Sequence, residues 1–217
     1  DTKKINIENL SKCFFVKPIS SLVRSLREID QIIKNKKNKI AIIGGGVASY
    51  ELAFSLIRRY EDPLEITILG KNILEEKNLN KRTRDKLKTI AENLGIKAYK
   101  GEVVSISDTY LTLKGGEKID CNFSLLSTGA NIEMWLFKSD LNKDESGFIT
   151  VNNNLLSTNK ENIFVTGDAC SIENNIRVKS GVMAVRQGEI LKENIFLKLT
   201  GKKLIKFRPQ KSWLYLI

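Results

Sequence analysis

A chain of 217 residues, 41% hydrophobic and 28% charged, is long enough for one large domain or two small ones. It carries a net charge of +11 and no histidine, which removes Ser-His-Asp and Cys-His catalysis together with the commonest metal ligand. Its three cysteines, Cys13, Cys121 and Cys170, form no CxxC pair and predict buried free thiols, and no apolar run is long enough to span a bilayer.

In chain order, Cys13-Phe14-Phe15-Val16 predicts a short strand stopped by Pro18. Ser20 or Ser21 is placed to cap a helix whose apolar face is Leu22, Val23, Leu26, Ile29, Ile32 and Ile33. That helix runs into the cluster Lys34 to Lys39 and reads as a link between two lobes. The cluster has no interleaved aromatics to stack on bases, so a solvated linker is favoured over nucleic-acid binding, despite the basic charge.

Next come Lys39-Ile40-Ala41-Ile42-Ile43, the triplet Gly44-Gly45-Gly46, and a segment with apolar residues at helical spacing. Strand, glycine turn and helix together predict the first half of a dinucleotide-binding βαβ unit. Gly44 makes the turn, Gly46 lets the backbone approach a pyrophosphate, and Ser49 is the third small residue, packing helix against strand. The helix N-terminus offers free N–H groups and a partial positive charge to the phosphates.

Leu52, Ala53, Leu56 and Ile57 continue this helix to Asp62-Pro63, and Leu64 to Leu69 is a second strand. A helix from near Asn80 has Leu87, Ile90, Ala91 and Leu94 on one face and stops at Gly95; Ile96 to Tyr99 is a third strand. Val103 to Ile106, Tyr110 to Leu113 and a strand near Ile119 predict a β-meander, with a turn at Gly115-Gly116. Phe123 to Leu126 is a buried strand running into Ser127-Thr128-Gly129-Ala130.

Residues 131–146 are irregular, with Trp135 and Leu136 as expected anchors. Gly147 to Val151 reads as a strand, Asn162 to Asp168 as a buried strand entering a Gly-Asp turn, and Val182 to Leu199 as a helix. The chain ends on Pro209 and the apolar Trp213-Leu214-Tyr215-Leu216-Ile217, which suggests a further domain beyond it.

The order of the Gly44–Glu51 turn, Ser127-Thr128-Gly129-Ala130, and Ser157-Thr158 before Ile163-Phe164-Val165-Thr166-Gly167-Asp168 resembles the two-dinucleotide-binding-domain flavoproteins of the pyridine nucleotide-disulfide oxidoreductase superfamily. Val16-Lys17-Pro18-Ile19, Ala184-Val185-Arg186-Gln187-Gly188 and Phe207-Arg208-Pro209-Gln210 are similar to its NADH dehydrogenase-like branch, and most to the module fused to selenophosphate synthase. The resemblance implies an α/β fold in which a Rossmann-like NAD(P)-binding domain with a β-meander, residues 37–129, is inserted into an FAD-binding lobe. That lobe would be made from residues 1–36 and 130–217 and would be incomplete, because the family's first Gly-rich unit, which holds the ADP half of FAD, and its C-terminal domain have no counterpart in these residues.

By the same resemblance the cofactors are FAD and NAD(P)H. Asp168, after Gly167, matches the aspartate that bonds the ribityl chain. Thr128-Gly129 matches the return crossover, Glu51 a glutamate near the nicotinamide, and Gln187 a position beside the flavin or quinone. The implied activity is hydride transfer from nicotinamide to flavin and on to a small-molecule acceptor, with a quinone as one candidate; a non-catalytic nucleotide-binding module of a larger enzyme is the alternative. A cytoplasmic location is expected, with homodimer formation and peripheral membrane contact left open.

The residues themselves bear on which nicotinamide nucleotide is used. NAD-specific sites carry a carboxylate at the end of the second strand. Here the strand ends Leu69-Gly70-Lys71, so the carboxylate is missing and Lys71 is cationic, which leans toward NADPH or dual use.

Overall fold

The computed structural model describes residues 5–8, 10–34, 38–60, 64–75, 79–129, 132–173 and 179–208. Expectations placed on Asn35 to Lys37, Asp62-Pro63, Ala130, Pro209-Gln210 and Trp213 to Ile217 lie outside them. Two compact units divide after Gly129.

In chain order the first unit contains β1 (Asn6–Ile7), β2 (Cys13–Phe15), α1 (Ile19–Ile33), β3 (Asn38–Ile43), α2 (Val47–Arg59), β4 (Leu64–Gly70), α3 (Lys81–Asn93), β5 (Lys97–Lys100), β6 (Val103–Ile106), β7 (Tyr110–Leu113), β8 (Lys118–Asp120) and β9 (Phe123–Leu126). Its main sheet is parallel, in the order β2-β9-β3-β4-β5. The isoleucine-rich β3 lies at its centre with Ile40, Ala41 and Ile42 fully buried, as expected of a strand covered on both faces. β6, β7 and β8 form the antiparallel meander, and β1 adds to β6 in parallel.

Strand alternation sorts the core. Ala41, Ile43, Leu69 and Leu126 of the main sheet pack with Val103, Ile106, Leu111 and Leu113 of the meander. Ile40, Ile42, Ile66, Ile68, Phe123 and Leu125 have the opposite parity and are left to the helices, whose buried residues include Ile29, Tyr50, Ala53, Leu56 and Leu87. Local signals set the helix ends. The Asn80 side chain accepts from Thr83 N–H at 2.8 Å at the start of α3, a cap worth about 1 kcal/mol. Gly95 follows the helix at φ +71°.

Three expectations are corrected in this unit. Residues 1–36 are expected in the second lobe, but their described part belongs to the first unit: β2 pairs with β9 and β1 with β6. The apolar face of α1 makes it a packed helix, not a link between lobes. Asp30 near its end accepts from Tyr60 Oη at 2.6 Å and from Arg59 Nη2 at 3.1 Å. Finally, α1 begins at Ile19 with Pro18 at its N-cap, ahead of the serines, since proline is suited to the non-helical backbone there and no serine side chain caps it.

The second unit contains α4 (Met134–Phe137), β10 (Ile149–Val151), β11 (Cys170–Ile172) and α5 (Gly181–Leu199). β10 and β11 pair in parallel, and Val151, Leu155, Cys170, Ile172, Met183 and Phe207 form its core. Two further expectations are corrected here. The strand foreseen over Asn162 to Asp168 is reduced to a single bridge between Leu156 and Phe164, followed by a 3-10 turn at Gly167–Ala169. Trp135 is 70% exposed and is not buried against the described residues of the unit. Phe207 of the C-terminal motif is buried, and its N–H donates to Asn153 O at 2.7 Å.

Candidate functional site

The glycine turn between β3 and α2 is built by close backbone packing. Gly44 has φ +144°, and a Cβ there would lie 2.3 Å from Ser127 O. Ser127 follows β9, so the turn and the Ser127-Thr128-Gly129 segment meet at the same end of the sheet. A Cβ on Gly45 would fall 1.7 Å from Asn72 O, and one on Gly70 would fall 2.6 Å from Gly45 N. The Leu74 N–H donates to Gly45 O at 2.7 Å, and Leu74 is buried at φ +52°. A non-glycine residue held in the left-handed region costs about 1–3 kcal/mol, so the packing of this loop on the turn overrides backbone preference.

Gly46 differs from its neighbours. It is the N-cap of α2 with φ −87° and ψ 175°, extended backbone that any residue adopts. Nothing in its conformation calls for glycine, whereas a phosphate approaching the N-terminus of α2 would. Ser49, one turn in, is completely buried, and its Oγ has no hydrogen-bond partner. A Cβ on Gly44 would lie 2.9 Å from that Oγ, so the small serine packs the helix against the turn, and it is the glycine turn at the N-terminus of a 13-residue helix that fits an anionic nucleotide. Glu51 lies on the same helix, partly buried, and burial pushes its carboxyl above the ordinary range.

Lys71 is exposed but paired. Its Nζ lies 2.7 Å from Glu102 Oε1, and Glu102 also lies 3.8 Å from Lys114 Nζ. Lys100 pairs with Glu75 at 3.0 Å nearby. The carboxylate expected at position 70 is absent for a steric reason, since no side chain fits against Gly45. Sequence reasoning missed Glu102 because it comes 32 residues after Gly70 and only the β4–β5 pairing brings it near.

In the second unit, Gly167 at φ +66° opens the turn that carries Asp168. Asp168 is exposed, contrary to the buried strand end foreseen, because the preceding strand does not form. Gln187, on the second turn of α5, is 4% exposed. Its Oε1 accepts from Gly167 N–H at 2.6 Å, and its Nε2 lies 3.4 Å from Cys170 Sγ. The structure therefore joins Gln187 to the turn of Gly167 and Asp168, which lie 20 and 19 residues before it in the sequence. Lys179, which sequence reasoning passed over, donates to Cys170 O at 2.6 Å and lies 3.6 Å from the Phe148 ring centre. Burial pulls its ammonium below the usual lysine range.

With this geometry in place, residues 3–188 match the pyridine nucleotide-disulphide oxidoreductase family. The chain belongs to that family. It is 24% identical over 186 residues to ferroptosis suppressor protein 1 of Taeniopygia guttata, covering 80% of this chain and 49% of that protein. It is 26% identical over 196 residues to demethylphylloquinone reductase of Synechocystis, covering 87% and 47%. Among solved structures, the water-forming NADH oxidase of Lactobacillus brevis bound to NADH shares the fold with a TM-score of 0.75, at 18% identity over 94% of this chain and 44% of that one. The chain thus spans about half the length of the curated relatives it matches.

Proposed function

We propose that this chain is part of an FAD-dependent NAD(P)H oxidoreductase, with the nicotinamide nucleotide on the first unit and Asp168 directed to FAD. The observation that carries it is the glycine turn: Gly44 and Gly45 are required by packing, while Gly46 caps a 13-residue helix in backbone that does not demand glycine, a choice that a bound pyrophosphate would account for. Gly44 and Gly46 would hold the nucleotide, with Ser49 packing the helix against the strand behind them and Glu51 one turn into the helix near the nicotinamide. Thr128 and Gly129 follow the sheet end at which the turn lies. Asp168, on a turn held from Gly167 by Gln187, would accept from ribityl hydroxyls. Bound flavin would supply the two-electron chemistry, and the chain's residues supply orientation and electrostatics.

A quinone is the acceptor class favoured by the relatives' names, one of which is a demethylphylloquinone reductase. The finer likeness to the module fused to selenophosphate synthase rests on the sequence motifs alone. The test is the full-length protein, purified and mixed anaerobically with NADH or NADPH. Flavin absorbance that bleaches on mixing and returns on adding a soluble quinone supports the reading. Colourless protein that binds nucleotide without redox change would replace it with the non-catalytic module. Absence of nucleotide binding would overturn both.

A further inference from the structure

We propose that Gln187 is a positioning residue that acts on the cofactor through Asp168, and that it does not itself touch flavin or acceptor. The proposal rests on the reading of Asp168 as an FAD ligand. The family resemblance places Gln187 beside the flavin or quinone; in this chain its amide is turned to Gly167 and Cys170. The side chain is almost wholly buried, and its amide is spent on two partners at opposite ends of one short turn. Oε1 accepts from Gly167 N–H at 2.6 Å, at the first residue of the turn. Nε2 lies 3.4 Å from the Sγ of Cys170, the residue that caps the turn at its other end. Asp168 lies between the two anchored residues, with its own side chain exposed.

The arrangement has a physical logic. A three-residue 3-10 turn has weak internal hydrogen bonding, and its first residue holds φ +66°, outside the range most residues prefer. An external acceptor on Gly167 N–H fixes that conformation. Because α5 is a 19-residue helix, the acceptor is mounted on a rigid element. The direction of the Asp168 carboxylate is therefore set by an amide on the helix. Loss of the amide leaves the N–H of Gly167 without its acceptor and lets the turn rotate the carboxylate away from its ligand.

A double-mutant cycle in the full-length protein tests this, with the FAD dissociation constant as the readout. The variants are Asp168→Asn, Gln187→Leu, their combination, and Gln187→Glu, whose carboxylate can still accept from Gly167 N–H. Gln187→Met, which keeps volume and loses the amide, stands in if the leucine variant does not purify. Asp168→Asn and Gln187→Leu should each weaken FAD binding about tenfold, and the double variant no more than Asp168→Asn alone. Gln187→Glu should restore binding to near the parent value. Equal losses from Gln187→Leu in both backgrounds would mean a general packing role and overturn the proposal. So would unchanged FAD affinity with a raised KM for the acceptor, which is the signature of direct contact. Unchanged FAD affinity in Asp168→Asn would instead remove the reading of Asp168 itself, and the proposal with it.

Discussion

The ammonium of Lys71 lies 2.7 Å from Glu102 Oε1, so the cation after β4 is tied to a carboxylate that follows β5. Sequence alone leans toward a role for Lys71 on a 2′-phosphate. The pair qualifies that reading: Lys71 is a cation with a competitor already in place. An exposed pair of this kind is worth about 0–1 kcal/mol, so a phosphate dianion can displace it. Glu102→Gln should free Lys71 and tighten NADPH binding about three- to tenfold at low salt while leaving NADH nearly unchanged, with the gain lost at high salt. Titration of both nucleotides at two ionic strengths checks it. No change in NADPH affinity would remove Lys71 from nucleotide choice.

The glycines of the turn should fail in different ways. Gly45→Ala would place a Cβ 1.7 Å from Asn72 O, and Gly70→Asp would place one 2.6 Å from Gly45 N. Both contacts are with backbone, which cannot swing aside, so each should cost roughly 3 kcal/mol or more and show as a lowered Tm. Gly46→Val sits in extended backbone and should melt within a few degrees of the parent while losing NAD(P)H binding. If Gly46→Val binds nucleotide as the parent does, the pyrophosphate is not held at this turn.

The division after Gly129 makes a prediction about fragments. Residues 1–129 expressed alone should melt cooperatively, since the main sheet, the meander and helices α1 to α3 are all present. A fragment starting at residue 37 removes β1, β2 and α1, uncovers the edge of β9, and loses the Asp30 contact to Tyr60 and Arg59. It should be less stable and prone to association through that edge. Equal stability of the two fragments would show that residues 1–36 are passengers on the first unit.

Glu51 gives a pH signature. Burial raises its carboxyl, so the folded protein holds this proton more tightly than the unfolded chain. The stability this contributes is present below the ordinary carboxylate range and is lost as pH rises through the folded value. At neutral pH the ionised form is therefore a small liability. Glu51→Gln should raise stability there, by a gain that solvent screening keeps below about 1 kcal/mol, and the two proteins should converge in acid. Thermal melts from about pH 4 to pH 8 measure the difference. A lower Tm for Glu51→Gln at neutral pH would contradict the sign.

Most of the first unit is legible in the residues alone. The isoleucine run of β3, the glycine triplet, the strand of Leu64 to Leu69 and the paired short strands of the meander carry their periodicity locally, and local periodicity is what a sequence records. The same holds for the helix ending in Leu199 and for the stop at Gly95. Less legible is where the flanking segments belong. A three-residue strand such as Cys13–Phe15 carries no mark of its partner, and its pairing with β9 joins residues more than a hundred positions apart.

The candidate sites divide in the same way. The sequence by itself determined the glycine turn, the small residue at Ser49 and the Gly-Asp pair at Gly167-Asp168, because each is a run of neighbours whose conformational demands are local. Only the tertiary structure decided that Gly70 admits no side chain, that Lys71 is matched by Glu102, and that the buried amide of Gln187 is spent on Gly167 and Cys170. Those are distances between residues brought together by strand pairing and helix packing. Interaction energies of charges and hydrogen bonds depend on such distances and on burial, and neither is a property of position along the chain.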